Sequence, residues 1–175
     1  MNLCSKILLN VAVRVTILLT TQASAQVPRA IARGDLTVIA TLHAEGAQVY
    51  ECKPDFGKSQ SDVRALSWQF REPIATLIVD GKSIGRHYAG PSWDAIDGSV
   101  VKGKVVASTP GATSSDIPWL ELELAEHPSY GIFSAATTAR RINTKGGLAQ
   151  GSCERAGDYL SVPYSADYVF LRGGM

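Results

Sequence analysis

The stretch that best indicates the fold is Leu66-Ser67-Trp68-Gln69-Phe70-Arg71. Its apolar and polar residues alternate without a break, which is the pattern of a β-strand with one buried face. The alternation therefore predicts that Leu66, Trp68 and Phe70 point into a common core. Pro73 is expected to end the strand, because proline cannot donate a backbone hydrogen bond.

Short alternating segments recur on both sides of this strand. Upstream, Leu36–His43 and Ala47–Cys52 flank Glu45-Gly46 and predict a hairpin. Downstream, further strands are predicted at Ala75–Val79, Val100–Ser108, Trp119–Ala125, Ala136–Asn143 and Tyr164–Leu171. No window shows a 3.6-residue apolar period with helix caps. The predicted fold class is all-β, a single-domain antiparallel β-sandwich or barrel of about 8–10 short strands.

The segment Gly85–Ser99 between two of these strands is the richest in chemically distinctive residues. Gly90-Pro91 and Asp97-Gly98 predict two turns. We expect Gly90 to adopt a backbone conformation that is awkward for a side chain, because the chain must reverse immediately before Pro91. The turns would bring His87, Trp93 and Asp94 toward the same end of the sheet.

Three side chains of this segment are candidate catalytic groups. His87 with Asp94 or Asp97 would form an acid–base set, because a carboxylate that orients an imidazole lets it move protons near neutral pH. Ser92 or Ser99 would be the nucleophile if either met His87. The structural alternative is a hydrogen-bonded core histidine beneath a tight double turn.

Aromatic and basic residues are candidates for ligand binding: Tyr88, Trp93, Trp119 and Arg141. Trp119 is out of register with the leucines of its strand and is expected at the surface, whereas Trp93 would lie at the mouth of a site. Arg140 and Arg141 point to opposite faces of a strand, so only one of them lines a given site and is able to clamp an anion. The alternative for this pair is a solvated strand face.

Histidine spacing gives no indication of a metal site, and we expect neither a metal nor another cofactor. His43, His87 and His127 are widely spaced and fall in different predicted elements. They would ligate a metal only if the fold gathered them beside Asp94 or Asp97.

The N-terminus has the pattern of an export signal. Lys6 and Arg14 supply positive charge, Ile7–Leu19 is mostly apolar, and Ala23-Ser24-Ala25 is a small-x-small cleavage site. The apolar run is too short to span a bilayer. We therefore predict a signal peptide over residues 1–25, cleaved after Ala25, and one β-rich domain over residues 26–175 with its core at about 36–171.

The cysteine count predicts a disulfide. Of the three cysteines, Cys4 would leave with the signal peptide, so that Cys52 and Cys153 remain. In an oxidising compartment such a pair favours a disulfide over two buried thiols. The predicted location is secreted or periplasmic.

The charge balance argues against two classes of partner. The chain carries 17 basic and 16 acidic residues, and without Lys6 and Arg14 there are 15 and 16, a net charge of −1. This balance does not favour electrostatic capture of nucleic acid or of an anionic membrane, and no stable membrane insertion is expected after signal cleavage. The oligomeric state is left open.

Several motifs, considered together, resemble one family. They are Gln48-Val49-Tyr50-Glu51-Cys52, Trp68-Gln69-Phe70 with Pro73 and Ala75, Ile84–Trp93, Asp97–Gly103, Ile117-Pro118-Trp119-Leu120, Arg141–Gly147 and Cys153. From about Leu36 to Phe170, the chain resembles a bacterial and fungal family catalogued as domain of unknown function 3455.

Members of this family are mostly secreted, so the resemblance implies that this chain is secreted too. The family has no assigned activity, and it therefore implies no catalytic residues for this chain. Some fungal members carry a malate dehydrogenase label. This chain does not support that label, because it has no G-x-G-x-x-G motif after a strand and no alternation of strands with helices.

The function that these observations favour is non-catalytic binding of a small molecule or of an envelope or extracellular glycan. The first alternative is a small hydrolase or lyase that uses His87 with Asp94 or Asp97. The second is a structural or inhibitor-like protein that acts through its loops.

Overall fold

The fold is seen in a computed structural model that describes residues 36–55, 65–125 and 130–173. These residues form eight strands: β1 (Leu36–Pro54), β2 (Leu66–Val79), β3 (Lys82–Tyr88), β4 (Ser92–Ala95), β5 (Val100–Thr109), β6 (Trp119–Ala125), β7 (Thr138–Gly146) and β8 (Tyr159–Gly173).

The strands form a closed antiparallel barrel. Each strand pairs with the next along the chain, and β8 returns to pair with β1, so no sheet edge is left between them. Closure satisfies the backbone hydrogen-bonding groups that an edge strand would leave exposed. The predicted all-β class is confirmed, and of its two architectures the barrel is the observed one.

The inward face of the barrel forms an apolar core. Leu77, Trp93, Leu122 and Phe170 from four different strands are buried within it. At the end where β8 finishes, the segment over residues 130–137 inserts Phe133, whose ring centroid lies 4.6 Å from that of Phe170. We call this the closed end, and the opposite end, where β3 turns into β4, the open end.

The expected hairpin at Glu45-Gly46 is wrong, because β1 runs through this dipeptide without a turn. Gly46 pairs with Ala75 of β2, and a Cβ at position 46 would lie only 2.0 Å from the carbonyl oxygen of Ile74. The glycine therefore permits two strands to approach closely instead of reversing the chain.

The expectation that Pro73 ends a strand is also wrong. β2 continues through it, and Pro73 lies opposite Gln48, close to a bulge at which Arg71 of β2 has no partner between the pairs Val49–Glu72 and Tyr50–Phe70. The missing N–H of a proline is tolerated beside such an irregularity in the ladder.

The alternation around Trp68 marks a strand, as predicted, but its apolar face does not point into the core. Leu66 and Trp68 are partly exposed, and Phe70 is 54% exposed. This part of β2 pairs with the last residues of β1, which in turn pair with the start of β8 at the open end. The apolar face therefore borders the opening of the barrel.

The two turns of the segment Gly85–Ser99 are present. The first spans residues 89–91 and joins β3 to β4, and the second spans residues 96–98 and joins β4 to β5. Gly90 has a φ of 98°, in the region that side chains avoid, so the conformation predicted for it is confirmed.

The predicted disulfide is confirmed. Cys52 and Cys153 are bonded, with Cα atoms 5.9 Å apart, and the bond joins the end of β1 to the segment between β7 and β8. The predicted signal peptide and Cys4 lie outside the described residues. Within the described ranges, no helix has the length and hydrophobicity needed to span a membrane.

Candidate ligand-binding site

A cavity of about 520 Å³ lies at the open end of the barrel. Its volume falls within the range of about 300–1,000 Å³ that is typical of small-molecule sites. Barrels of eight strands are just wide enough to hold one small ligand. The cavity is lined mainly by apolar and aromatic side chains, and the residues that border it are Gln48, Tyr50, Trp68, Phe70, Arg71, Pro73, His87, Gly90, Pro91, Val105, Ile117, Pro118, Leu120, Arg141 and Leu148.

Hydrogen bonds hold the loops around this cavity in place. Asp116 accepts a hydrogen bond from the backbone N–H of Gly146, and Ile117 N–H donates to the Gly146 carbonyl, so the loop before β6 is fixed to the end of β7. The Tyr50 hydroxyl donates to the Gly147 carbonyl over 2.7 Å. These contacts hold the cavity wall in place.

His87 borders the inner part of the cavity and is only 2% exposed. Its Nδ1 lies 2.9 Å from the Ser92 carbonyl oxygen. Because a carbonyl can only accept, Nδ1 carries the proton and Nε2 is left as an acceptor. Burial lowers the pKa of His87 to about 3, and the positive charge of Arg141 acts in the same direction. The imidazole is therefore neutral at physiological pH.

Arg141 enters the cavity from β7. Its Nε donates to the Pro118 carbonyl over 3.0 Å, which fixes the guanidinium against the loop before β6. Arg140, the preceding residue of β7, shows the expected alternation. It lies on the other face of the strand, and its Nε donates to Glu121 over 3.1 Å. Of the two arginines, only Arg141 lines the cavity.

A set of buried polar side chains lies near the Arg141 guanidinium. The hydroxyls of Tyr164 and Tyr168 contact each other. Tyr164 also contacts Gln48, and Tyr168 also contacts Arg141. None of these contacts gives the two hydroxyls or the Gln48 Nε2 a hydrogen bond of standard geometry within the described residues. Burial raises the pKa of both tyrosines, while the nearby Arg141 charge lowers it.

The predicted acid–base set is not brought together. Asp94 pairs with Arg86 on the outer face, where the Arg86 Nε lies 3.2 Å from its Oδ1, whereas His87 points inward. Asp97 lies in the turn at the closed end and accepts hydrogen bonds from Ser99 and from the backbone of Ile132. Alternation along a strand sends neighbouring side chains to opposite faces, so Asp94 is separated from the imidazole.

The two candidate nucleophiles also lie apart from a catalytic arrangement. The Ser99 hydroxyl donates to Asp97 over 2.6 Å. Ser92 contacts His87 through its backbone carbonyl and not through its hydroxyl.

Three of the four predicted ligand-binding residues do not line the cavity. Trp93 is 0% exposed and lies beneath His87 in the core, so it is not at a mouth. Trp119 is 9% exposed, contrary to its expected surface position, and borders a polar groove on the outer face beside Thr113. Tyr88 follows His87 on β3 and lies under the Arg86 guanidinium, 5.7 Å from it.

The histidines considered as metal ligands remain separate. His43 lies on the outer face with its Nδ1 2.8 Å from Asp167, whereas His87 is inside the barrel. His127 lies outside the described residues. In the ranges that the structure covers, no group of three or more histidine, cysteine or acidic side chains is arranged to hold a metal ion.

Several residues of the cavity wall were not predicted from the sequence, among them Gln48, Ile117, Leu120 and Leu148. A usable signal existed for Leu120. It pairs directly with Arg141 in the sheet, and cross-strand partners share a face. No local pattern distinguishes the others, because their position depends on loops that meet only in the folded barrel.

Comparison with known proteins identifies a family. A family model described as "Protein of unknown function (DUF3455)" matches residues 32–172. No curated protein and no solved structure matches the chain.

Proposed function

This chain belongs to the DUF3455 family of proteins of unknown function, and we propose that its barrel binds a small, largely apolar molecule in the open-end cavity. The observation that carries the proposal is a cavity of about 520 Å³ with an apolar wall and a few convergent polar groups. This combination is the usual composition of a small-molecule site.

The composition of the wall favours a small molecule over a glycan. A sugar presents many hydroxyls, and a site that excludes water must match most of them with hydrogen bonds. Here the polar groups are few, and the rim is formed by Trp68, Phe70 and Val105. The exposed ring of Phe70 adds apolar surface that a ligand would cover.

Binding is favoured over hydrolysis because the imidazole lacks an adjacent carboxylate. His87 donates its Nδ1 proton to a backbone carbonyl, and its lowered pKa disfavours protonation near neutral pH. Asp94 and Asp97 are engaged on the outer face and at the closed end. General acid–base catalysis needs a group whose pKa lies near the working pH.

The protein is proposed to act outside the cytoplasm, in the periplasm or after secretion. Two observations support this location: the disulfide between Cys52 and Cys153, and the export pattern of residues 1–25. Disulfides persist in oxidising compartments and are rare in the cytosol.

A screen with a blocking variant tests the proposed binding. Purified protein is screened by thermal shift against small apolar and amphipathic molecules, and the affinity of each hit is measured by calorimetry. Val105→Trp places a large side chain at the rim of the cavity, whereas Val106→Trp adds the same side chain at a neighbouring exposed position that does not line it.

We expect Val105→Trp to weaken binding at least about tenfold, which corresponds to about 1.4 kcal/mol, and Val106→Trp to leave it within about twofold. Equal affinities for the two variants would contradict binding in this cavity.

A further inference from the structure

We infer that the ligand of the open-end cavity is an amphipathic carboxylate, held by Arg141 at its anionic end and by the apolar wall along its body. The inference rests on the proposed function, because it assigns a chemical class to the ligand of the same cavity. It depends on the charge of the wall and on the distribution of polar groups within it.

The charge of the cavity wall is unbalanced. None of the described residues that line the cavity is acidic. Arg141 makes no ion pair within the described residues, and only its Nε has a hydrogen bond of standard geometry, to the Pro118 carbonyl. By contrast, Arg140 on the outer face of the same strand is paired with Glu121. A guanidinium facing an apolar cavity without a counter-ion attracts an anion.

The other charged or titratable groups of the wall do not change this balance. Arg71 lies at the rim, where its Nε is 3.4 Å from a carboxylate oxygen of Glu72 and its guanidinium lies over the Tyr159 ring. His87 is neutral, because its burial lowers the pKa of the imidazole well below physiological pH. The net charge inside the cavity is therefore that of Arg141.

Gln48 provides a second donor for the same anion. It is 2% exposed, borders the cavity, and its Nε2 has no hydrogen bond of standard geometry within the described part of the chain. A buried donor left without a partner costs free energy, and a carboxylate oxygen would satisfy it. A carboxylate has two oxygens and can accept from the amide and the guanidinium together.

The apolar part of the wall would contact the hydrocarbon body of the ligand. Ile117, Leu120 and Leu148 surround the cavity, and Trp68 and Phe70 extend it to the rim. A simple inorganic anion would leave this surface without a partner. An alkyl or aryl chain would cover it, so that each buried methylene adds about 0.8 kcal/mol.

The test compares an acid with its uncharged isostere. Calorimetric titrations of the purified, disulfide-bonded protein use decanoate and decanamide below their aggregation concentrations. The two molecules share the same chain and differ at the head group. We expect decanoate to bind at least about tenfold more tightly than decanamide, because only the carboxylate forms an ion pair with the guanidinium, whereas the amide leaves the positive charge without a counter-ion.

Two variants assign the preference to Arg141. Arg141→Gln should reduce the ratio of the two affinities to about twofold or less, because the charge is removed and a polar group remains. Arg155→Gln removes one positive charge from an exposed side chain that pairs with Asp158, away from the cavity wall, and should keep the wild-type ratio. Circular dichroism and melting temperature verify that each variant is folded.

Each outcome bears on the inference. Equal affinities of the acid and the amide for the wild-type protein would overturn it and leave the proposed cavity binding intact; this comparison needs no variant. A preference that survives Arg141→Gln would also overturn it. If neither molecule binds while an uncharged hit from the screen does, the anionic class is wrong. If nothing binds in the cavity, the proposed function fails as well.

Discussion

His87 and Trp93 stack face to face across β3 and β4, with ring centroids 4.7 Å apart and an interplanar angle of 13°. The two residues are direct cross-strand partners and both point into the barrel. Trp93 also meets the Tyr168 and Phe170 rings edge-on. This pair separates the open-end cavity from the apolar core below it.

The first prediction concerns the stability contributed by this stack. Trp93→Ala should lower the free energy of unfolding by about 3–5 kcal/mol, because it leaves a cavity within a packed core. Phe70→Ala is the control, since the Phe70 ring is half exposed and contacts the ring of Tyr50 edge-on. It should cost about 1 kcal/mol. Urea denaturation measures both values, and similar losses would show that the assigned faces are incorrect.

The second prediction concerns the dependence of stability on pH. The pKa of His87 is lowered from 6.5 to about 3 in the folded protein, so between these values the unfolded chain binds a proton that the folded one does not. Stability should fall as the pH decreases below about 6.5, by up to about 1.4 kcal/mol per pH unit.

A variant without the imidazole isolates this contribution. Between pH 7 and pH 5, the wild-type protein should lose about 2 kcal/mol more stability than His87→Asn. Chemical denaturation at the two pH values measures the difference. Parallel pH profiles for the two proteins would contradict the burial of a neutral His87.

The third prediction distinguishes the two aspartates of the central segment. Asp97 accepts hydrogen bonds from the backbone N–H of Ser99 and of Ile132, over 2.9 and 2.7 Å, and so joins the turn after β4 to the segment that fills the closed end. Asp94 forms an exposed pair with Arg86. Asp97→Ala should cost about 1–3 kcal/mol, and Asp94→Ala less than about 1 kcal/mol. Thermal unfolding of the two variants tests the order, and the reverse order would refute it.

The sequence predicted the features that depend on local chemistry or on simple counting. The dipeptide Gly90-Pro91 predicted a reversal of the chain, and Gly90 adopts the positive φ of a turn there. Cys52 and Cys153 were the only cysteines beyond the predicted signal peptide, and they are bonded. These conclusions needed no knowledge of which strands are neighbours.

Features that depend on the neighbours of a strand were not predictable in this way. The pattern at Phe70 correctly indicated a strand, but an apolar face can meet a cavity opening as well as a core. Trp119 is out of register with the core leucines, yet it is covered because the outer face beside it forms a groove with the preceding loop. Gly46 had the signature of a turn but serves a close approach of β1 to β2.

The fourth prediction concerns the disulfide. The bond joins two cysteines at a sequence separation of 101. Because it restricts the unfolded chain, its removal in the double variant C52A/C153A should cost about 4–5 kcal/mol. The segment between β7 and β8 that it anchors also carries Leu148 of the cavity wall. Urea denaturation compares the double variant with the oxidised wild-type protein, and an unchanged midpoint would contradict a stabilising role for the bond.

Methyl NMR tests the central claim, ligand binding in the open-end cavity, most directly. A protein with labelled isoleucine, leucine and valine methyls is titrated with a screening hit. We predict shift changes at Ile117, Leu120 and Leu148, which line the cavity, and none at the exposed Ile74 and Ile96, which do not. Changes confined to the exposed methyls, with the cavity methyls unmoved at saturating ligand, would contradict the account.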